Sequence, residues 1–171
     1  MKDMLRRAFE RSVRNWFGHL ATRLGLHLAR LPDGTFEIES PQFCMRIRAS
    51  SGHVSDLVDL LVTLVPVEKR FAKFGVEKGE ISLGRIMDYY GDELNASPLS
   101  SAERLEAEIK RQSQLALKYG APFLCGSSRD WSNIEKYVEQ KIVEAGIPEM
   151  KFDLPKFVRE EWEVEGDEDD T

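Results

Sequence analysis

The stretch Thr35–Ala49, TFEIESPQFCMRIRA, decides the fold. Phe36 and Ile38 alternate with Glu37 and Glu39. After Pro41-Gln42, Phe43, Met45 and Ile47 alternate with Cys44, Arg46 and Arg48. A period of two places successive side chains on opposite faces of a strand, so each run predicts a strand with one apolar and one polar face. The break at Pro41 makes the two runs antiparallel neighbours.

Working outward, the same logic extends the sheet. Leu26–Leu31 reads as a short preceding strand, joined to Thr35–Ser40 by Pro32-Asp33-Gly34. Proline presets φ in that turn and Asp-Gly tolerates positive φ. Asp56–Val67, rich in Val and Leu, reads as the most apolar strand, after a turn at Ser50–His53. Residues 2–25 read as a helix. Leu5, Phe9, Val13, Trp16, Leu20 and Leu24 recur at helical spacing, Arg7, Arg11 and Arg14 share the opposite side, and Gly25 stops it.

Lys69–Glu80 reads as a polar loop and Ile81–Asp92 as a short helix. A longer helix begins at Ser100, where Ser100 and Glu103 form a capping-box pattern. It runs along Leu105, Ile109, Gln112 and Ala116 and stops at Gly120-Ala121-Pro122. Phe123–Gly126 reads as an apolar loop tucked into the core. Asp130 caps a last helix over Trp131–Ala145. The fold class expected is α+β: one antiparallel sheet of about four strands, packed by the N-terminal helix and the C-terminal helices. Residues 1–155 form one domain in this reading, and 156–171 an acidic, flexible tail.

Charge is unevenly placed. The first thirty residues hold seven basic and two acidic groups. Residues 156–171 hold eight acidic groups against Lys156 and Arg159, a net of −6. No apolar run approaches the roughly 20 residues that span a bilayer, and the charged N-terminus lacks the apolar stretch of a secretory signal. A cytoplasmic location without membrane contact is the expectation.

Candidate chemistry is sparse. Cys44 and Cys125 lack a CxxC partner, and His19, His27 and His53 are scattered, so neither a metal nor a cofactor is expected. Cys125 sits in Leu-Cys-Gly-Ser-Ser, but no G-x-S-x-G elbow exists and no histidine follows residue 53. Gly75–Gly79 lacks the spacing of a phosphate-cradling loop. Asp56, Asp59, Asp88 and Tyr89 are the residues an unrecognised enzyme site would use. Its mark would be a deep pocket on which several of them converge. Tyr89 and Tyr90 read as packing, one buried and one at the surface. Arg7, Arg11 and Arg14 could touch an anion or nucleic acid, although no aromatic platform or nucleic-acid-binding motif accompanies them. In the tail, Phe157 and Trp162 among Glu160, Glu161 and Glu163 suit docking onto a basic protein surface with apolar pockets.

Five segments, RLGLHL, TFEIESPQFCMRIR, DLLVTLVP, ALKYGAPFL and RDWSNIEKYV, follow one another in an order that resembles small, mostly uncharacterised bacterial α+β proteins. The likeness covers about residues 5–143, and some such proteins lie in toxin–immunity or prophage neighbourhoods. It implies a non-enzymatic protein-interaction module, in its sharpest form an immunity-type protein that neutralises a partner toxin. The alternatives are an enzyme with an unrecognised site and a nucleic-acid binder using the first helix.

Overall fold

A computed structural model describes residues 2–51, 58–70, 79–95, 99 and 101–146. The elements are α1 (Lys2–Arg23), β1 (Leu28–Arg30), β2 (Phe36–Glu39), β3 (Phe43–Ser51), β4 (Val58–Pro66), β5 (Ile81–Ser82), α2 (Leu83–Tyr89), α3 (Ala102–Tyr119), α4 (Ala121–Leu124) and α5 (Trp131–Glu144). Contacts divide the chain between Val138 and Glu139. In the second unit the end of α5 carries a Gln140–Glu144 hydrogen bond of 3.0 Å and a Lys141–Glu144 ion pair of 3.5 Å. The sheet, its core and the sites described next belong to residues 1–138.

The fold is α+β with a single antiparallel sheet in the order β1-β2-β3-β4-β5. It has five strands where about four were expected. The fifth is Ile81–Ser82, which sequence assigns to the start of a helix; Ile81 pairs with Leu64 and Ser82 with Thr63. Ser82 then caps α2, accepting a hydrogen bond from the Arg85 backbone N–H at 3.3 Å. A two-residue strand followed at once by a helix has no period of its own, so pattern reading merges the two.

Register explains the core. Phe36 lies opposite Ile47 and Ile38 opposite Met45. Met45 in turn faces Leu64, and Ile47 faces Val62. These six side chains are buried and form one apolar face, against which α1 and α3 pack Phe9, Val13, Phe17, Leu105 and Ile109. Each such side chain contributes on the order of 1.5–3 kcal/mol by leaving water. The α1 helix ends as sequence predicts: Gly25 adopts φ 70°, with bonds from Leu26 N to Ala21 O at 2.8 Å and from Gly25 N to Thr22 O at 3.1 Å.

Two boundaries differ from expectation. The cap of α3 is Ser101, which accepts from the Arg104 N–H at 3.3 Å, not Ser100. The spacing Ser100–Glu103 matches a capping box, but the neighbouring serine serves equally well and wins. Phe123–Gly126 is not simply a loop: Ala121–Leu124 forms the short helix α4, with Pro122 in its first turn. Its Phe123 joins Phe43 and Trp131 in a three-ring cluster with centroid separations of 4.9–5.6 Å. That cluster seats α4 and the start of α5 at the start of β3. At Gly120 a Cβ would stand 2.5 Å from Met45 Cε and 3.0 Å from the Ala116 carbonyl, so any larger residue forces Met45 or the backbone to shift where α3 closes on the sheet.

Candidate functional site

The second face of the sheet carries a polar network that is buried at its centre and partly exposed at Glu39 and Arg48. Glu37, Arg46 and Thr63 lie side by side across β2, β3 and β4. All three are buried. Arg46 Nε donates to Glu37 Oε2 at 3.0 Å. Arg70, just beyond β4, reaches Glu37 Oε1 at 2.5 Å and Glu39 Oε2 at 2.6 Å. Glu80 receives Arg48 at 3.0 Å and the Thr63 hydroxyl, with Arg46 at 4.0 Å. Three guanidiniums thus meet three carboxylates, and the assembly is neutral. Burial lowers the basicity of Arg70, but the Glu39 hydrogen bond and the Glu37 charge outweigh it and hold the guanidinium firmly protonated.

Cys44 lies within this face, fully buried. The donor atoms of Glu37, Glu39 and Cys44 come within 4.8 Å of one another, a spacing a metal could use. The chemistry does not suit one. Arg70 already bridges both carboxylates. Burial, followed by the Glu37 charge, pushes the Cys44 thiol up to about 11, so it is protonated at neutral pH and is a poor ligand. These residues act as a structural network.

A cluster of different character forms where α2, α3 and α5 meet. The chain has four tyrosines, and the fold gathers all of them. The end of α2 supplies Tyr89 and Tyr90, α3 supplies Tyr119 and α5 supplies Tyr137. Ring centroids are 5.0 Å apart for Tyr89–Tyr90, 5.6 Å for Tyr89–Tyr137 and 6.0 Å for Tyr90–Tyr119. Carboxylates fix two of the hydroxyls: Tyr90 donates to Asp130 and Tyr137 to Asp88, each at 2.9 Å. Burial, then the hydrogen bond to Asp130, raises the Tyr90 phenol above its ordinary value, so it remains a donor throughout the physiological range. Tyr90 is 44% exposed, one of few large apolar side chains at the surface. An open hollow of about 400 Å³, lined by Asp88, Asp92, Glu93 and Arg85, shares Asp88 with this cluster. Lys118 stands 3.8 Å from Asp92, and its Nζ lies 4.9 Å from the Tyr119 ring centroid.

The sequence candidates fall as follows. Asp88 and Tyr89 belong to this patch, where the adjoining hollow is open and shallow, not the deep pocket that an enzyme reading requires. Asp59 is exposed on β4 and makes no side-chain hydrogen bond or ion pair among the described residues. Asp56 and His53 lie outside the described residues, as do Phe157, Glu160, Glu161, Trp162 and Glu163. Arg7, Arg11 and Arg14 are all exposed on one side of α1. Arg14 sits 5.4 Å from the Phe36 ring centroid in a cation–π contact, while Arg7 and Arg11 edge a groove beside α3. Asp130 gives its carboxylate to Tyr90, and its backbone carbonyl accepts the first bond of α5, from Ile134 N at 2.9 Å. Pattern reading misses Tyr119 and Asp130 as partners of Tyr90, and Tyr137 as a partner of Tyr89 and Asp88, because nothing local links residues so far apart. No helix of the described residues is long and apolar enough to cross a membrane. No family model, curated protein or solved structure matches the chain.

Proposed function

We propose that this chain is a non-enzymatic protein-interaction module of the cytoplasm, docking a basic partner at the tyrosine–aspartate patch. The observation that carries this reading is the packing of all four tyrosines into one ring cluster that surfaces at Tyr90, 44% exposed, over a buried Tyr119. Tyrosines are enriched at protein interfaces because they give large contact area with few rotatable bonds and a polar tip. Each ring here braces the next, so little side-chain entropy remains to be lost on binding. Asp88 and Asp130 hold hydroxyls of the cluster, and Asp92 and Glu93 line the hollow that Asp88 shares, against Arg85 in that hollow and Lys118 beside Tyr119. That balance favours a partner presenting lysine or arginine. Neutralisation of a basic partner enzyme by covering its active surface, an immunity-type activity, is the form of this reading that the family resemblance suggests.

The test is affinity capture from the native host, with the intact chain and a Tyr90→Ser/Asp92→Lys variant in parallel. The reading expects one basic protein in stoichiometric amount, lost with the variant and lost at about 0.5 M salt, where the screening length falls to a few ångströms. Capture of the same proteins by both baits, or of none by either, refutes it.

A further inference from the structure

The first helix carries a second surface of opposite chemistry. Between the N-terminal half of α1 and the first turn of α3 lies a groove of about 600 Å³, lined by Asp3, Met4, Arg7, Ala8, Arg11 and Ala102. Its floor is mostly apolar, because Ala8 and Ala102 place methyl groups where larger side chains would close the gap. Arg7 and Arg11, one helical turn apart, stand at its rim and are exposed. Neither has an ion-pair or hydrogen-bond partner among the described residues. Glu10, the nearest glutamate on α1, is held by Arg30 at 2.7 Å. The groove therefore suits a large apolar side chain flanked by carboxylates.

The chain itself contains a segment of that chemistry. Residues 156–171 place Phe157 and Trp162 among Glu160, Glu161 and Glu163, and carry a net charge of −6. We infer that residues 156–171 of one copy dock into the α1/α3 groove of a second copy. An aromatic ring lies on the Ala8–Ala102 floor, and glutamates face Arg7 and Arg11. The groove and the segment are different surfaces, so the contact is head-to-tail and can propagate to further copies. It uses none of the tyrosine patch and stands independently of the function proposed above.

Sedimentation velocity on the full-length chain, across a wide concentration range at low ionic strength, tests it. Association that rises with concentration is expected, and about 0.5 M salt should weaken it at least tenfold through screening of the arginine–glutamate contacts. Arg7→Glu/Arg11→Glu should be monomeric, and so should Phe157→Ser/Trp162→Ser. An equimolar mixture of these two variants should form a one-to-one pair and nothing larger, because one retains the segment and the other the groove. Circular dichroism checks that both variants are folded. A wild type that stays monomeric throughout, a variant that still associates alone, or a mixture that fails to pair would each overturn the inference.

Discussion

Replacing Glu37 by alanine removes a carboxylate that two guanidiniums share. Glu37 is 3% exposed, with Arg46 Nε at 3.0 Å and Arg70 at 2.5 Å. Breaking a buried ion pair from one side typically costs about 3–5 kcal/mol, because the other charge is left without its partner. Arg70 retains Glu39 at 2.6 Å, and Arg46 retains Glu80 at 4.0 Å among its partners. Both guanidiniums keep other partners, which places the expected cost near the lower end, about 3 kcal/mol. That is a large share of the roughly 5–15 kcal/mol by which domains are stable. Glu37→Gln keeps an acceptor and should cost about 1–2 kcal/mol. Glu37→Leu/Arg46→Leu removes both charges and should regain at least about 1 kcal/mol relative to Glu37→Ala. Urea unfolding followed by circular dichroism measures all three. If Glu37→Ala costs less than about 1 kcal/mol, or the double variant is less stable than the single one, the network is solvated and the reasoning is wrong.

Three further outcomes are expected. Gly120→Ala should destabilise by about 1–3 kcal/mol in the same urea assay, since its Cβ would press on Met45 Cε and the Ala116 carbonyl, and backbone yields less readily than a methionine tip. A thiol reagent at pH 8 should modify exposed Cys125 promptly in the native protein, and Cys44 only on unfolding, because Cys44 is buried and its thiol is pushed up to about 11. Burial pushes the Glu108 carboxyl upward, but hydrogen bonds from Arg111 and Gln112 outweigh it and hold the group below its ordinary 4.5. Its stabilisation is thus fully present above that value and is lost as pH falls through the lower folded-state pKa. Glu108→Gln should therefore be less stable than wild type at pH 7, by on the order of 1 kcal/mol or less because Arg111 is partly exposed, and the difference should vanish in acid.

The sheet was legible because its signal is local. Alternation in Thr35–Ala49 gives the register in which Phe36 meets Ile47 and Glu37 meets Arg46, so both the apolar core face and half of the ionic network can be read from the period of two. The other half cannot. Arg70 and Glu80 flank a segment that reads only as polar loop, and their roles depend on where β4 and β5 end. The tyrosine patch is less legible still. Tyr119 and Tyr137 sit at helical positions that suit packing equally well. Only the docking of α2, α3 and α5 brings their rings to Tyr89 and Tyr90. The α3 cap shows a smaller failure of the same kind: two adjacent serines satisfy one local rule, and the structure uses Ser101.

The central claim is that the polar face of the sheet is satisfied within the molecule, and that the tyrosine–aspartate patch is where a partner sits. A photo-crosslinking amino acid placed at exposed Tyr90, in the chain expressed in its native host, tests this most directly. Irradiation should join it to a single basic protein, while the same group at exposed Glu103 on α3 should give no such adduct. No adduct from position 90, or an identical set of adducts from both positions, would contradict the account.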